Sequence, residues 1–151
     1  MSVETQAEVD FDRARRQAFY GRVAARLRRE CNRLLAFDEV VERCSAHNRR
    51  RLGLRDVEVS KIVGSVGRTA AFDRAFMPTN ASLKERWKRV DRAFHHGLDL
   101  PAVRLYKLGD SYFVEDGNHR VSVARYQEVE MIEADVTEVY PLYLARSGCA
   151  A

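Results

Sequence analysis

The sequence predicts an α+β fold in which a helical hairpin precedes a small β-sheet. The chain has 151 residues, the usual size of one domain, and at that size a core forms without a metal or a disulfide. Apolar residues recur at helical spacing in the first third, whereas the rest contains alternating, β-branched segments. We therefore expect a basic N-terminal helical arm at residues 1–55, a sheet-containing domain at 56–140 and a C-terminal tail at 141–151.

The composition argues against a membrane protein or a secreted protein. The longest apolar run, Leu34–Phe37, is far shorter than the ~20 residues that cross a bilayer. Residues 1–12 are polar and acidic, unlike the apolar region of a signal peptide. The protein is therefore expected to be cytoplasmic and to have no membrane partner.

The cysteines and histidines do not form a metal-binding pattern. The three Cys lack CxxC spacing, and the four His lack HxxxH or HExxH spacing. Zinc sites that can be recognised in a sequence have closely spaced ligands of these two types. The sequence therefore predicts no certain metal site.

Two helices are predicted in the arm. Residues 10–36 have apolar side chains at steps of three and four, which is typical of a helix with one buried face. A second helix is predicted from Glu39 to about Asn48, with Asp38 as its N-cap and Gly53 as its stop. Together they form the predicted hairpin.

The arm carries the positive charge of the chain. The net charge is +4, and residues 1–55 contain thirteen Arg against eight acidic residues. Such a segment can bind DNA by neutralising phosphates. The candidate DNA contacts are Arg22, Arg26, Arg29 and Arg33. Two other interpretations stay open: a solvated face of the helix pair, or an interface with a second copy or a partner protein. The apolar residues of that interface would be Phe19, Val23, Leu27 and Leu34.

Alternating, β-branched residues predict four strands in the domain that follows. These strands are Val57–Val63, Ala102–Lys107, Ser111–Glu115 and Ile132–Val139. Two further helices are predicted, one over Leu83–His96 with Trp87 and Phe94 on its apolar face, the other over Val121–Gln127. The second and third strands form a hairpin.

A polar junction connects the third strand to the last helix. Its residues are Asp116, Gly117, Asn118, His119 and Arg120. The first N–H groups of a helix have no partners within it, so an anion is favoured there, and Gly117 allows its close approach. Arg120 can add a bidentate phosphate contact and His119 a further donor. The alternative is a plain turn with Asn118 as an N-cap and Arg120 as a surface charge.

A second loop has residues suited to phosphate. Gly64, Ser65, Gly67 and Arg68 follow the first predicted strand and can form a nest of N–H groups with one positive charge. An ordinary connecting loop explains them equally well.

Two acidic residues are candidates for catalysis. Asp73 and Glu115 could act as a general base or as Mg²⁺ ligands in phosphoryl transfer. For Asp73 the alternative is an acid at a helix N-terminus, beside core phenylalanines.

Residues 56–140 resemble the ParB/sulfiredoxin superfamily. The resemblance rests on the order of elements: a helix ending at Gly97, a strand opening at Pro101, a hairpin, a Gly-x-x-Arg junction, a helix and a closing strand. It implies a small mixed β-sheet of ParB/sulfiredoxin type, preceded here by the helical hairpin. The junction is most similar to the Asp-Gly-His-His-Arg of free serine kinases in this superfamily, but Asn118 stands where sulfiredoxins have a nucleophilic Cys. Sulfiredoxin activity is therefore not expected.

The resemblance implies a nucleotide-binding module. A nucleoside triphosphate (CTP or ATP), with or without Mg²⁺, would place its phosphates on the Asp116–Arg120 junction, in a DNA-associated or regulatory role. The alternatives are a small-molecule kinase of the free-serine type and a non-catalytic regulatory module that binds a protein partner through its helical arm.

Overall fold

The structure is a computed structural model, and it describes residues 1–141. The helices are α1 (Val3–Arg28), α2 (Phe37–Cys44), α3 (Lys84–His95) and α4 (Asn118–Tyr126). The strands are β1 (Leu35–Ala36), β2 (Asn48–Glu58), β3 (Ile62–Ser65), β4 (Val103–Leu108), β5 (Ser111–Asp116) and β6 (Met131–Tyr140). The α+β class is confirmed. The predicted tail lies outside the described residues, apart from its first residue.

The six strands form one mixed sheet in the order β1-β3-β5-β4-β6-β2. The pairs β1–β3, β3–β5 and β4–β6 are parallel, whereas β4–β5 and β2–β6 are antiparallel. Alternate residues of a strand face opposite sides of the sheet, and neighbours such as Phe113 and Val114 accordingly belong to two separate apolar clusters. The sheet therefore has a helix layer on each face.

The first face is covered by α1, α3 and α4. Phe11 of α1 packs edge-on against Trp87 of α3, with ring centroids 5.7 Å apart. Lys88, only 6% exposed, forms ion pairs with Glu4 at 2.6 Å and with Glu8 at 2.7 Å. A buried ammonium is tolerated only when it is paired, so these contacts fix α1 against α3.

The second face is covered by α2, which corrects the predicted hairpin. Phe37 stacks on Tyr106 with ring centroids 4.5 Å apart and lies 5.5 Å from Phe113, both on the sheet. Both N-terminal helices exist, but the sheet separates them. The reason is β1, whose two residues Leu35 and Ala36 pair with β3 at the edge of the sheet. The chain turns around that edge between the two helices.

The end of the arm is a strand, which corrects the predicted helix stop at Gly53. Strand β2 begins at Asn48 and pairs with β6 along its whole length. Gly53 has φ +80° and lies at a register shift of this ladder, so its positive φ serves a β-bulge instead of a helix end. Because β2 runs from 48 to 58, it crosses the expected boundary at 55/56. Residues on both sides of that boundary share one sheet.

The single strand predicted over Val57–Val63 is also corrected. It consists of the end of β2, a 3₁₀ turn at Val59–Lys61 and then β3. The turn carries the chain from one edge strand of the sheet to the far side of β5. The side chains of Val57, Val59 and Ile62 are all buried, so the apolar pattern continues through the turn and conceals it.

The apolar stripe predicted for the arm is buried only in part. Leu34 is 4% exposed and belongs to the core, whereas Phe19, Val23 and Leu27 are exposed. On α3, Trp87 is fully buried as predicted, but Phe94 is 38% exposed. None of the helices in residues 1–141 has the length and apolar character needed to cross a membrane.

We expect Gly64→Ala to destabilise the protein strongly. A Cβ at Gly64 would clash with the carbonyl oxygen of Leu35 and would lie 2.6 Å from Cδ1 of Phe113. Overpacking against a neighbouring backbone should lower the free energy of unfolding by about 3 kcal/mol. Gly67→Ala is the matched control, because nothing lies within 4 Å of its Cβ position. Urea denaturation measures the free energy of unfolding of both variants. Equal midpoints would contradict the close packing of Gly64 against Leu35 and Phe113.

Candidate anion-binding site

The parallel pairing of β3 with β5 places two polar segments at one edge of the sheet. Ser65 at the end of β3 is the register partner of Val114 in β5. Parallel strands have their carboxyl ends at the same edge, where ligands bind in many α/β sheets. The loop after β3 and the junction after β5 therefore lie side by side. These are the two segments that the sequence offered as candidates for binding phosphate.

Gly117 forms the N-cap of α4, where the sequence suggested Asn118. Its φ of +114° is a conformation that favours glycine. A Cβ there would lie 2.7 Å from Cγ1 of Val103. Because Gly117 has no side chain, the cap makes no side-chain hydrogen bond to the first turn. The N-terminus of α4 thus keeps N–H groups that a ligand can use.

Asn118 is oriented by a buried hydroxyl from the neighbouring strand. Ser65 is fully buried, and its Oγ lies 3.0 Å from Oδ1 of Asn118 and 3.2 Å from the carbonyl oxygen of Val114. Ser65 therefore ties the first residue of α4 to the β3–β5 pair. Its role is to position the junction.

Arg120 holds the junction to the segment before β4. Its Nη1 donates to the carbonyl oxygens of Pro101 at 2.6 Å and Ala102 at 3.0 Å. Its Nη2 forms an ion pair with Oδ2 of Asp116 at 3.1 Å. The side chain is 16% exposed. Much of its donor capacity is thus used within the protein.

His119 presents a neutral imidazole. Burial, together with the charges of Arg68 and Arg86, lowers its pKa from 6.5 to about 4. Its ring packs edge-on against Phe72 at 5.2 Å. Both ring nitrogens are buried, and neither has a hydrogen-bond partner within residues 1–141. Buried nitrogens without partners are rare in proteins, so His119 has hydrogen-bonding capacity for a ligand.

These residues line a cleft of about 870 Å³. Arg68 contributes from the loop after β3, and Arg86 and Arg89 contribute from α3. The arginine ion pairs within residues 1–141 involve other positions, namely Arg50, Arg51, Arg92 and Arg120. The charges of the three cleft arginines are therefore available to a ligand. Two exposed carboxylates, Glu115 and Asp116, lie at the same cleft.

Sequence reasoning missed the two arginines of α3. Arg86 and Arg89 lie three residues apart, which places them on one side of the helix. Val90 and Ala93 on the same helix, with Leu100 and Pro101, add an apolar wall. Only the position of α3 beside the junction gives the arginines a role, and that position follows from tertiary packing. The helix pattern alone identified the apolar face with Trp87 and Val90, of which Val90 reaches the cleft.

Several predicted site residues lie elsewhere. Gly64 and Ser65 are buried strand residues, whereas Gly67 and Arg68 reach the cleft. Asp73 lies outside it: its Oδ1 accepts hydrogen bonds from the N–H groups of Ala75 and Met77, and burial raises its pKa. Asp73 thus shapes its own loop. Of the two acids considered for catalysis, only Glu115 lies at the cleft.

Asp73 instead lines a second, arginine-rich groove of about 650 Å³, which lies between α1 and the loop that contains Asp73. Arg22, Arg26 and Arg33 line this groove. Arg29, the fourth predicted contact, forms the C-cap of α1. Three of the four predicted DNA contacts are thereby brought together.

Comparison of the chain with protein-family models, with curated proteins and with solved structures gave no match. The resemblance to the ParB/sulfiredoxin superfamily therefore stays a prediction. The function has to be argued from the cleft itself.

We expect NMR titration of His119 to give a pKa of about 4 in the ligand-free protein. The imidazole of the unfolded chain takes up its proton near pH 6.5, whereas that of the folded protein does so only near pH 4. The free energy of unfolding should therefore fall as the pH decreases from 6.5 toward about 4. A phosphate in the cleft would favour the imidazolium, so addition of phosphate ligand should raise the pKa. The exposed His96 supplies a reference resonance. A pKa of His119 that phosphate does not move would contradict its place in an anion site.

Proposed function

We propose that the cleft binds a nucleotide, with the phosphates on the N-terminus of α4. The observation that carries the proposal is the convergence of three arginines, none of them in an ion pair within residues 1–141, on a helix N-terminus capped by glycine. The helix dipole and the free N–H groups favour an anion there. Guanidinium groups add charge and bidentate hydrogen bonds to phosphate oxygens. The set suits a ligand with several negative charges.

The apolar wall of the cleft favours a nucleotide over inorganic phosphate. Val90, Ala93, Leu100 and Pro101 line the same space as the arginines. Small-molecule sites usually combine apolar walls with a few polar groups that fix orientation. A base or sugar can contact this wall while the phosphates reach Arg68 and Arg86. CTP and ATP, the nucleotides implied by the resemblance, are the first candidates.

Glu115 supports a version of this function that includes Mg²⁺. Its exposed carboxylate lies at the cleft beside Asp116, and Mg²⁺ at nucleotide sites is commonly held by one or two carboxylates and by the phosphates. The small-molecule kinase would use Glu115 as base or metal ligand. Asp73 would have no part in this chemistry, because it lies in the other groove.

We expect calorimetric titration to detect binding of CTP or ATP. Arg86→Gln should lower the affinity about 10- to 100-fold, because one charged hydrogen-bonding group is lost. Arg55→Gln removes the same charge from the exposed surface of β2 and should leave affinity unchanged. Tripolyphosphate has no base or sugar, so its affinity shows how much these groups contribute to binding. Titration of Glu115→Gln with and without Mg²⁺ shows whether this carboxylate is needed for any effect of the ion. Absence of binding, or equal losses in the two arginine variants, would overturn the proposal.

The second groove favours the DNA-associated role. Arg22, Arg26 and Arg33 line it together, and each can neutralise one phosphate of a nucleic-acid backbone. Regulation of DNA binding by a nucleotide would then connect two sites on one chain. The alternative role, a protein partner on α1, rests on the exposed side chains of Phe19, Val23 and Leu27.

For DNA binding we expect the triple variant of Arg22, Arg26 and Arg33 to Gln to reduce the salt dependence of affinity. The slope of log K against log salt concentration should become less steep by roughly 2–3, about 0.9 per lost contact. The charge-matched control replaces Arg50, Arg51 and Arg55 on β2. Fluorescence anisotropy at several salt concentrations measures the slope for each triple variant. Equal slopes for the two variants would contradict DNA binding in the groove.

A further inference from the structure

A polar cluster connects α1 with α3, and none of its members lines the proposed nucleotide cleft. Its members are Asp10, Asp91 and His95, and one potential ligand atom from each lies within 4.8 Å of the other two. Asp10 is 3% exposed and Asp91 is fully buried. The side chain of His95 is 25% exposed. The cluster plays no part in the proposed nucleotide site.

The ligand atoms are close enough to share one ion. Nε2 of His95 lies 2.8 Å from Oδ2 of Asp10 and 3.3 Å from Oδ2 of Asp91. Bonds of roughly 2.0–2.2 Å place neighbouring ligands of a tetrahedral ion roughly 3.3–3.6 Å apart. Small side-chain movements therefore suffice to place three ligands around a metal.

Asp91 is the feature that requires a cation. Its Oδ2 is buried, points into the cluster and has no hydrogen bond within residues 1–141. Two ionised carboxyl groups buried side by side need further positive charge, because the one imidazole between them supplies at most a single charge. A divalent ion would supply it.

The amide of Gln127 occupies the centre of the cluster. Its Nε2 lies 2.8 Å from Oδ1 of Asp91, 3.3 Å from Oδ2 of Asp10 and 3.4 Å from Nε2 of His95. In this arrangement the partly positive NH₂ group stands where a cation would lie. The amide would therefore have to move out of the centre of the cluster before an ion could enter it.

We propose that Asp10, Asp91 and His95 bind a divalent transition-metal ion, with Zn²⁺ and Mn²⁺ as the favoured ions. One imidazole and two carboxylates form a mixed nitrogen and oxygen donor set that suits these ions, whereas Mg²⁺ prefers oxygen ligands and retains its waters. The ligands come from α1 and α3, so the ion would join two helices that pack on the same face of the sheet. It would be a structural ion in a largely buried site.

The test is a titration of the full chain, stripped of metal, with ZnCl₂, MnCl₂ and MgCl₂. We expect one Zn²⁺ or Mn²⁺ per chain, with weaker binding of Mg²⁺. At a metal concentration 100 times the Kd, thermal unfolding should shift upward by roughly 5–10 °C. His95→Ala should weaken binding at least about tenfold.

The neighbouring residue provides the matched control. His96 is exposed and is not part of the cluster, so His96→Ala should bind metal as tightly as the natural sequence. Asp10→Asn keeps the shape of the side chain and should lower the metal affinity as much as His95→Ala does. Circular dichroism checks that each variant is folded. Failure of Zn²⁺ and Mn²⁺ to bind, or equal affinity in His95→Ala and His96→Ala, would overturn the proposal.

Discussion

The parallel pairing of β3 with β5 is the constraint on which the candidate site depends. It places the end of β3 beside the end of β5, so the loop carrying Arg68 faces the N-terminus of α4. Gly64 makes this pairing possible, because any side chain there would collide with β1 and with Phe113. Ser65 then connects the paired strands to Asn118. A glycine and a serine that never touch the cleft therefore determine its geometry.

The arginines of this region have two physical roles, which depend on where their donors are directed. Arg120 and Arg125 direct theirs to backbone carbonyl oxygens. Those bound by Arg120 precede β4, and those bound by Arg125 belong to Val59 and Ile62, the first residue of the 3₁₀ turn and the residue that follows it. Both therefore hold irregular backbone in place. Arg68 and Arg86 line the cleft and lower the pKa of His119. The positive potential of the site consequently comes from residues outside the junction, and the junction supplies its shape and its N–H groups.

The sequence predicted those parts of the fold that depend on local pattern. The hairpin of β4 and β5, the sequence range of α3 and the polar strand-to-helix junction could all be found, because alternation, helical spacing and a strand-to-helix turn leave signals in adjacent residues. The fold around Gly53 could not, since a glycine with positive φ serves a helix end and a β-bulge equally well. The roles of Arg86 and Asp91 depend on which helix lies beside which strand. No spacing along the chain encodes that.

Buried charge explains why α1 belongs to the body and is more than a flexible arm. Lys88 is buried on α3, and its ion-pair partners Glu4 and Glu8 both come from the first turns of α1. A shift of α1 by one turn, about 5.4 Å, would leave the ammonium group of Lys88 buried without a partner at a large cost in free energy. These polar contacts therefore select one register for α1. In that register the second half of α1 lies over the loop that contains Asp73, and the groove lined by arginines forms between them. The packing of the helix layer therefore determines the second candidate binding surface.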